Sequence, residues 1–243
     1  MPRRRSRSRF VLEAIEGTLV GAAAFISWPA SRLLLRNLGS TRAERDARWP
    51  GDELVSANLP TNTRAIDIAA PASAVWAWLV QFDLDRAGFY SYELFERLLG
   101  IPVINVESIE AQWQSLAVGD QVRLHPTEPG IPIALLEKPS HICFGERFEP
   151  GAERPPLIRS WSFYVVPSGA NACRLLVRGC FEHTRKRTLK DRILFALEQP
   201  IDFIMEQRML RTIRRLAQNH ATDPDTVTVT GGSDAELSSS LRR

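Results

Sequence analysis

The side chains in this chain that could do chemistry are few, and most are hydrogen-bond donors. Tyr90, Tyr92 and Glu93 sit almost side by side in GFYSYE. Arg123 and His125 share one side of an extended run, and Arg159 and Trp161 share one side of another, because strand side chains alternate. Tyr92, Arg123 and Arg159 have the donors to orient a ligand carbonyl or carboxylate. The ordinary alternative places the Tyr hydroxyls in core hydrogen bonds and the Arg stems along an outer sheet face. Glu93, near a helix start, would then only complement the helix dipole. Both readings stay open at the level of sequence.

Known catalytic frames are missing. There is no GxSxG elbow, no P-loop, no GxGxxG after a strand, and no recognisable pair of carboxylates. His125, His141, His183 and His220 are scattered, and Cys143, Cys173 and Cys180 are odd in number with no CxxC pair. That spacing fits no zinc site, so neither metal nor cofactor is expected. Three thiols within expected strands read as buried and reduced, which points to the cytoplasm.

The elements that must position these residues follow from periodicity. TRAIDIAA (63–70) alternates like a half-buried strand. Pro71 opens PASAVWAWLV, a helix whose Val75, Trp76, Leu79 and Val80 share a face. Ser91 can cap a second helix bearing Leu94, Phe95, Leu98 and Leu99. Beyond Gly100 the pattern turns to strands, with hairpins expected about Lys138–Ser140 and about 167–171. From Thr188 to about Asn219 an apolar stripe of Leu194, Leu197, Ile201, Ile204, Met205 and Leu216 marks a long helix, with Lys190, Glu198, Asp202 and Arg215 opposite. Pro200 is expected to kink it or divide it in two.

This order and wording resembles the START-like superfamily, also called SRPBCC, the polyketide cyclase/dehydrase and lipid-transport group. GFYSYELFERLLG and the WxxLxVGDxVRL-like run Trp113–Leu124 carry the likeness, which covers roughly residues 45–218. The resemblance implies an α+β helix-grip fold, a curved antiparallel sheet wrapped around the long C-terminal helix, with an extra N-terminal helix. It also implies an apolar cavity between sheet and helix, for which Trp76, Tyr90, Tyr92, Arg123, Arg159, Trp161, Leu197 and Ile201 are the candidate ligand-binding residues. Such folds host several unrelated activities. Three functions follow: a module binding a hydrophobic small molecule or lipid, a polyketide cyclase or dehydratase, or a structural domain whose cavity is filled by its own side chains.

The ends of the chain carry the charge asymmetry. Net charge is only +3, yet Arg3, Arg4, Arg5, Arg7 and Arg9 crowd the start, and Arg208, Arg211, Arg214 and Arg215 crowd the last helix. Gly17–Ser31 is uncharged, and with Leu33–Leu35 it nears the minimum for crossing a bilayer. Glu13, Glu16, Pro29 and Arg32 oppose a full crossing. A spanning anchor, an interfacial helix through residues 10–36 on an anionic membrane surface, and a helix packed on the domain all remain. Nucleic acid is not an expected partner. The expected organisation is a basic arm and apolar helix (1–38), a linker (39–62), the START-like domain (63–220) and a disordered tail (221–243).

Overall fold

The structure, a computed structural model, describes residues 7–55, 60–148, 157–183 and 188–222. Helix α1 spans Arg7–Leu35 and a short α2 spans Arg42–Asp46. Strand β1 (Pro60–Ile68) leads into α3 (Ala72–Leu79) and α4 (Glu93–Leu98). Then come β2 (Gln121–Val122), β3 (Ile131–Glu137), β4 (His141–Gly145), β5 (Leu157–Gly169) and β6 (Ala172–His183), and α5 (Leu189–Thr222) closes the order. Among the described residues the strands make one antiparallel sheet, ordered β1-β6-β5-β4-β3-β2. This is the helix-grip arrangement, with α5 on the sheet's inner face. The expected tail lies almost wholly outside the described residues, from 223 onward.

Alternation explains how both sheet faces are used. Inward, Ile133, Phe144, Phe163, Val165, Leu175 and Val177 meet Met209, Leu210, Ile213 and Leu216 of α5 and the buried face of α3. Sheet and helix each own an apolar face that neither can bury alone. Pro200 does not divide α5, which runs unbroken through it. Outward, Ala65, Ala134, Cys143, Tyr164 and Leu176 pack on Leu54 and Trp49, so part of the expected 39–62 linker covers the convex face. Thr41 begins this cover with a reciprocal capping box to Glu44. Asp52 then enters the interior, where its carboxylate accepts from Arg178 Nε at 2.8 Å and Nη2 at 3.1 Å. The remaining Arg178 donors go to Thr63 Oγ1 and to the Glu44 and Ala47 carbonyls, so the buried charge is fully partnered.

Helix α1 lies against α4 and α5. Gly17 and Gly21 permit the approach, since a Cβ on them would come within 3.0 Å of the Tyr92 ring and 3.2 Å of Phe95. Ala24 and Trp28 pack with Phe203 and Ile204. Arg208 of α5 binds Glu13 at 2.7 Å and Glu16 at 3.4 Å.

Removing one partner of a buried, hydrogen-bonded ion pair strands the other charge. Asp52→Ala should therefore cost about 3–5 kcal/mol of stability. Asp46→Ala, which breaks an exposed pair with Arg42, should cost less than about 1 kcal/mol. Equal denaturation midpoints for the two variants would refute the role given to Asp52.

Candidate functional site

Between the sheet and α5 lies an open cavity of about 420 Å³. Its floor is one cross-strand row in register, Phe144 on β4, Trp161 on β5, Gly179 on β6 and Asn62 on β1. Gly179 keeps that row low, because a Cβ there would meet Asn62 Oδ1 at 2.9 Å. Asn62 Oδ1 instead accepts the Gly179 N–H at 2.9 Å. The roof is an i, i+4, i+8 row of α5, Ile201, Met205 and Met209. Phe82, Phe89, Leu99 and Ile101 close one side, and Leu124, His125 and Ile131 close the other. Phe82, Phe144, Trp161 and Phe163 form an aromatic cluster with ring centroids 4.7–6.5 Å apart.

Four carboxyls, Glu96, Glu128, Asp202 and Glu206, are among the polar groups on this wall. Glu96 of α4 accepts the Ser91 hydroxyl at 2.6 Å. Burial pushes the Glu96 carboxyl up to about 7, against the opposing pull of Ser91. Asp202 faces the groove, where solvent reaches it. Protein atoms nevertheless crowd the carboxyl, and with repulsion from Glu198 and Glu206 they push it up to about 6, outweighing Arg159 and Arg64. Glu206 is paired with buried Arg64 at 2.7 Å. Arg64 also donates to the Leu35 carbonyl at the end of α1 and lies over Phe203.

Of the residues expected to bind a ligand, the structure brings Arg159, Trp161 and Ile201 together at the cavity. Trp76 is instead core, buried with α3 against α5 and the sheet. Tyr90 is fully buried, held at φ 56° by Asn105, whose Oδ1 accepts its N–H at 2.6 Å. Its hydroxyl donates to the Trp78 carbonyl and accepts from Gln81, so it orients the fold and not a ligand. Burial accordingly pushes this phenol well above its ordinary range. Tyr92 is covered by α1, donating to Glu16 Oε1 at 3.1 Å beneath Arg208. Burial and Glu16 push it up to about 12. Arg123 turns away to Asp85 at 2.5 Å and the Pro126 carbonyl. The side chain of Leu197 lies outside the described residues. Glu93 goes beyond a dipole effect, since its buried carboxylate accepts the Asn105 N–H at 2.9 Å.

The sequence reading missed Glu96, Asp202 and Glu206. A signal existed, because Glu198, Asp202 and Glu206 recur at helical spacing beside the Ile201–Met205–Met209 row. Helical period alone puts Glu198 and Asp202 opposite the apolar stripe, while the curved sheet brings Arg64 and Arg159 to that edge.

No family model matches the chain, and no curated protein matches it. Solved structures do resemble it. The Zhui aromatase/cyclase from Streptomyces sp. R1128 is 13% identical, with 68% of this chain and 97% of that one covered and a TM-score of 0.37. CalC, a self-sacrificing resistance protein from Micromonospora echinospora, is 10% identical over 66% and 96%, with a TM-score of 0.36. A norcoclaurine synthase point mutant from Thalictrum flavum is 16% identical over 65% and 93%, with a TM-score of 0.33. Superpositions this partial carry no argument about chemistry, which has to come from the cavity itself.

The Glu96 carboxyl also gives a pH signature. Folding raises its affinity for a proton, so its protonated form is tolerated fully below the ordinary value of 4.5. Stability from this group is lost as pH rises through about 7, up to about 3 kcal/mol in all. Glu96→Gln should melt with the parent at pH 4 and above it at pH 8. A constant melting difference across that range would overturn the assignment.

Proposed function

We propose that this protein, as a START-like member, binds a hydrophobic or amphipathic small molecule in the cavity between sheet and α5. The observation that carries the reading is the open space itself, walled by Phe82, Phe144, Trp161, Ile201, Met205 and Met209 with a few carboxyls for orientation. An open cavity argues against a domain filled by its own side chains. Ile201→Trp would fill the space between the roof row and the floor row. Native mass spectrometry of the purified parent should show a co-purifying small molecule, and the Trp variant should lose it. A parent that is ligand-free and indifferent to decanol in calorimetry would refute the reading.

A second reading, a dehydratase or cyclase, is favoured by one feature. Glu96 stands at the cavity wall with a proton affinity near neutrality, where general acid–base transfer is most efficient. If the bound molecule loses the mass of one water on incubation with the parent and not with Glu96→Gln, the protein is an enzyme of this kind.

The site of action we propose is an anionic membrane surface, with α1 lying on it and not through it. Phe10–Trp28 is long and apolar enough to cross a membrane by length and composition. Its inner face, however, is committed to α4 and α5 through Gly17, Gly21, Ala24 and Trp28. The outer face leaves Leu12, Ile15, Leu19, Ile26 and Leu33 bare, Ile26 to 83%. A bare apolar stripe flanked by the N-terminal arginines suits an interface. Replacing Ile26 and Leu33 with Glu in the full chain should lower co-sedimentation with phosphatidylglycerol vesicles by about tenfold or more. Unchanged binding, or binding that resists high salt and carbonate, would reject the interfacial placement.

A further inference from the structure

Three carboxyls climb one ridge of α5 at helical spacing, Glu198, Asp202 and Glu206, beside the cavity's roof row. Two guanidiniums reach that ridge from the sheet. Arg64 of β1 closes on Glu206 at 2.7 Å, and Arg159 of β5 comes to 4.0 Å from Glu198. Asp202 lies between them with no hydrogen bond or ion pair of its own among the described residues. Its carboxyl faces the same groove as Phe82, Phe144 and Trp161.

We infer that Asp202 anchors a cationic head group, so that the cavity selects an amphipathic amine over an alcohol or a carboxylic acid of the same length. This rests on the cavity-binding reading above. Among the described residues, three carboxyls facing two guanidiniums leave one negative charge without a partner, and an ammonium group supplies it through a charge-assisted hydrogen bond. Aromatic faces nearby favour the same charge. The other wall residues point the same way. Glu128 adds negative charge, and Glu96, engaged by Ser91, adds its own as pH rises through about 7. Among the described cavity-lining residues, Arg159 is the one permanent cation to offset them for an anionic ligand, and that guanidinium is drawn toward Glu198. The upward push on the Asp202 carboxyl comes first from the protein atoms crowding it and then from its like-charged neighbours Glu198 and Glu206.

Calorimetric titration of the full-length protein with decylamine, decanol and decanoate tests this directly. Decylamine should bind at least about tenfold more tightly than decanol, with decanoate weakest. Asp202→Asn should remove most of the preference for decylamine over decanol, and Asp202→Glu should keep part of it. Circular dichroism of both variants should match the parent. Equal binding of amine and alcohol, a preference for decanoate, or an amine preference that survives in Asp202→Asn would each overturn the assignment. Failure of all three probes to bind would overturn the cavity reading, and this inference with it.

Discussion

Two guanidinium groups buried on opposite faces of the β1–β6 ladder set where the neighbouring elements can lie. Thr63 pairs with Arg178 in register and Arg64 pairs with Val177. Alternation therefore sends Arg178 to the convex side and Arg64 to the concave side. A buried charge is tolerated only with its donors satisfied and a counter-ion at hand. Arg178 thus requires Asp52 and the carbonyls of the 41–47 segment, which fixes that segment as a cover for the sheet. Arg64 requires Glu206 and the Leu35 carbonyl, which fixes α5 and the end of α1 against β1.

The cavity follows from the same pairing. Once Arg64 holds Glu206, the row Ile201–Met205–Met209 must hang over the floor residues Phe144, Trp161 and Gly179. Further along α5 the packing is dry, with Leu210, Ile213 and Ala217 sealed against the sheet and α3. The helix therefore serves two purposes along its length. Its C-terminal half supplies the core, and its middle, where Gly179 withholds a side chain and Met side chains adapt, leaves space for a guest. Separating core from cavity along one helix lets the site be polar and open without costing the fold its packing.

Helix α1 is held by a mixture of forces. Small residues allow its backbone close to Tyr92 and Phe95, and Arg208 joins it to α5 through Glu13 and Glu16. Those two acidic residues, which in the bare sequence oppose membrane insertion, thus have protein partners. Their engagement leaves the outer stripe apolar, and Arg97 of the α4 end lies over Phe10 near the start of α1. Leu99 lines the cavity.

Much of this architecture was legible in the sequence. The alternation of 63–70 and 158–166, the Pro71-started helix and the apolar stripe of the last helix depend on periodicities of two and 3.6, which local composition records directly. The family resemblance implied a sheet–helix cavity with Arg159, Trp161 and Ile201 among its candidate lining residues, and those three do line it. Which polar groups face that cavity could not be read this way. Tyr90, Tyr92 and Arg123 looked like ligand donors, and each was claimed by a distant partner, Trp78 and Gln81, Glu16, and Asp85 respectively. Asp202 stands opposite the apolar stripe by helical period and Glu96 carries no signal of its own, and tertiary contacts made both part of the polar wall. Periodicity determines which face a residue occupies, whereas its charge and hydrogen bonding are decided by whichever side chains the folded chain brings alongside it. Those partners come from strands and helices far away in sequence, so only the tertiary structure could assign them.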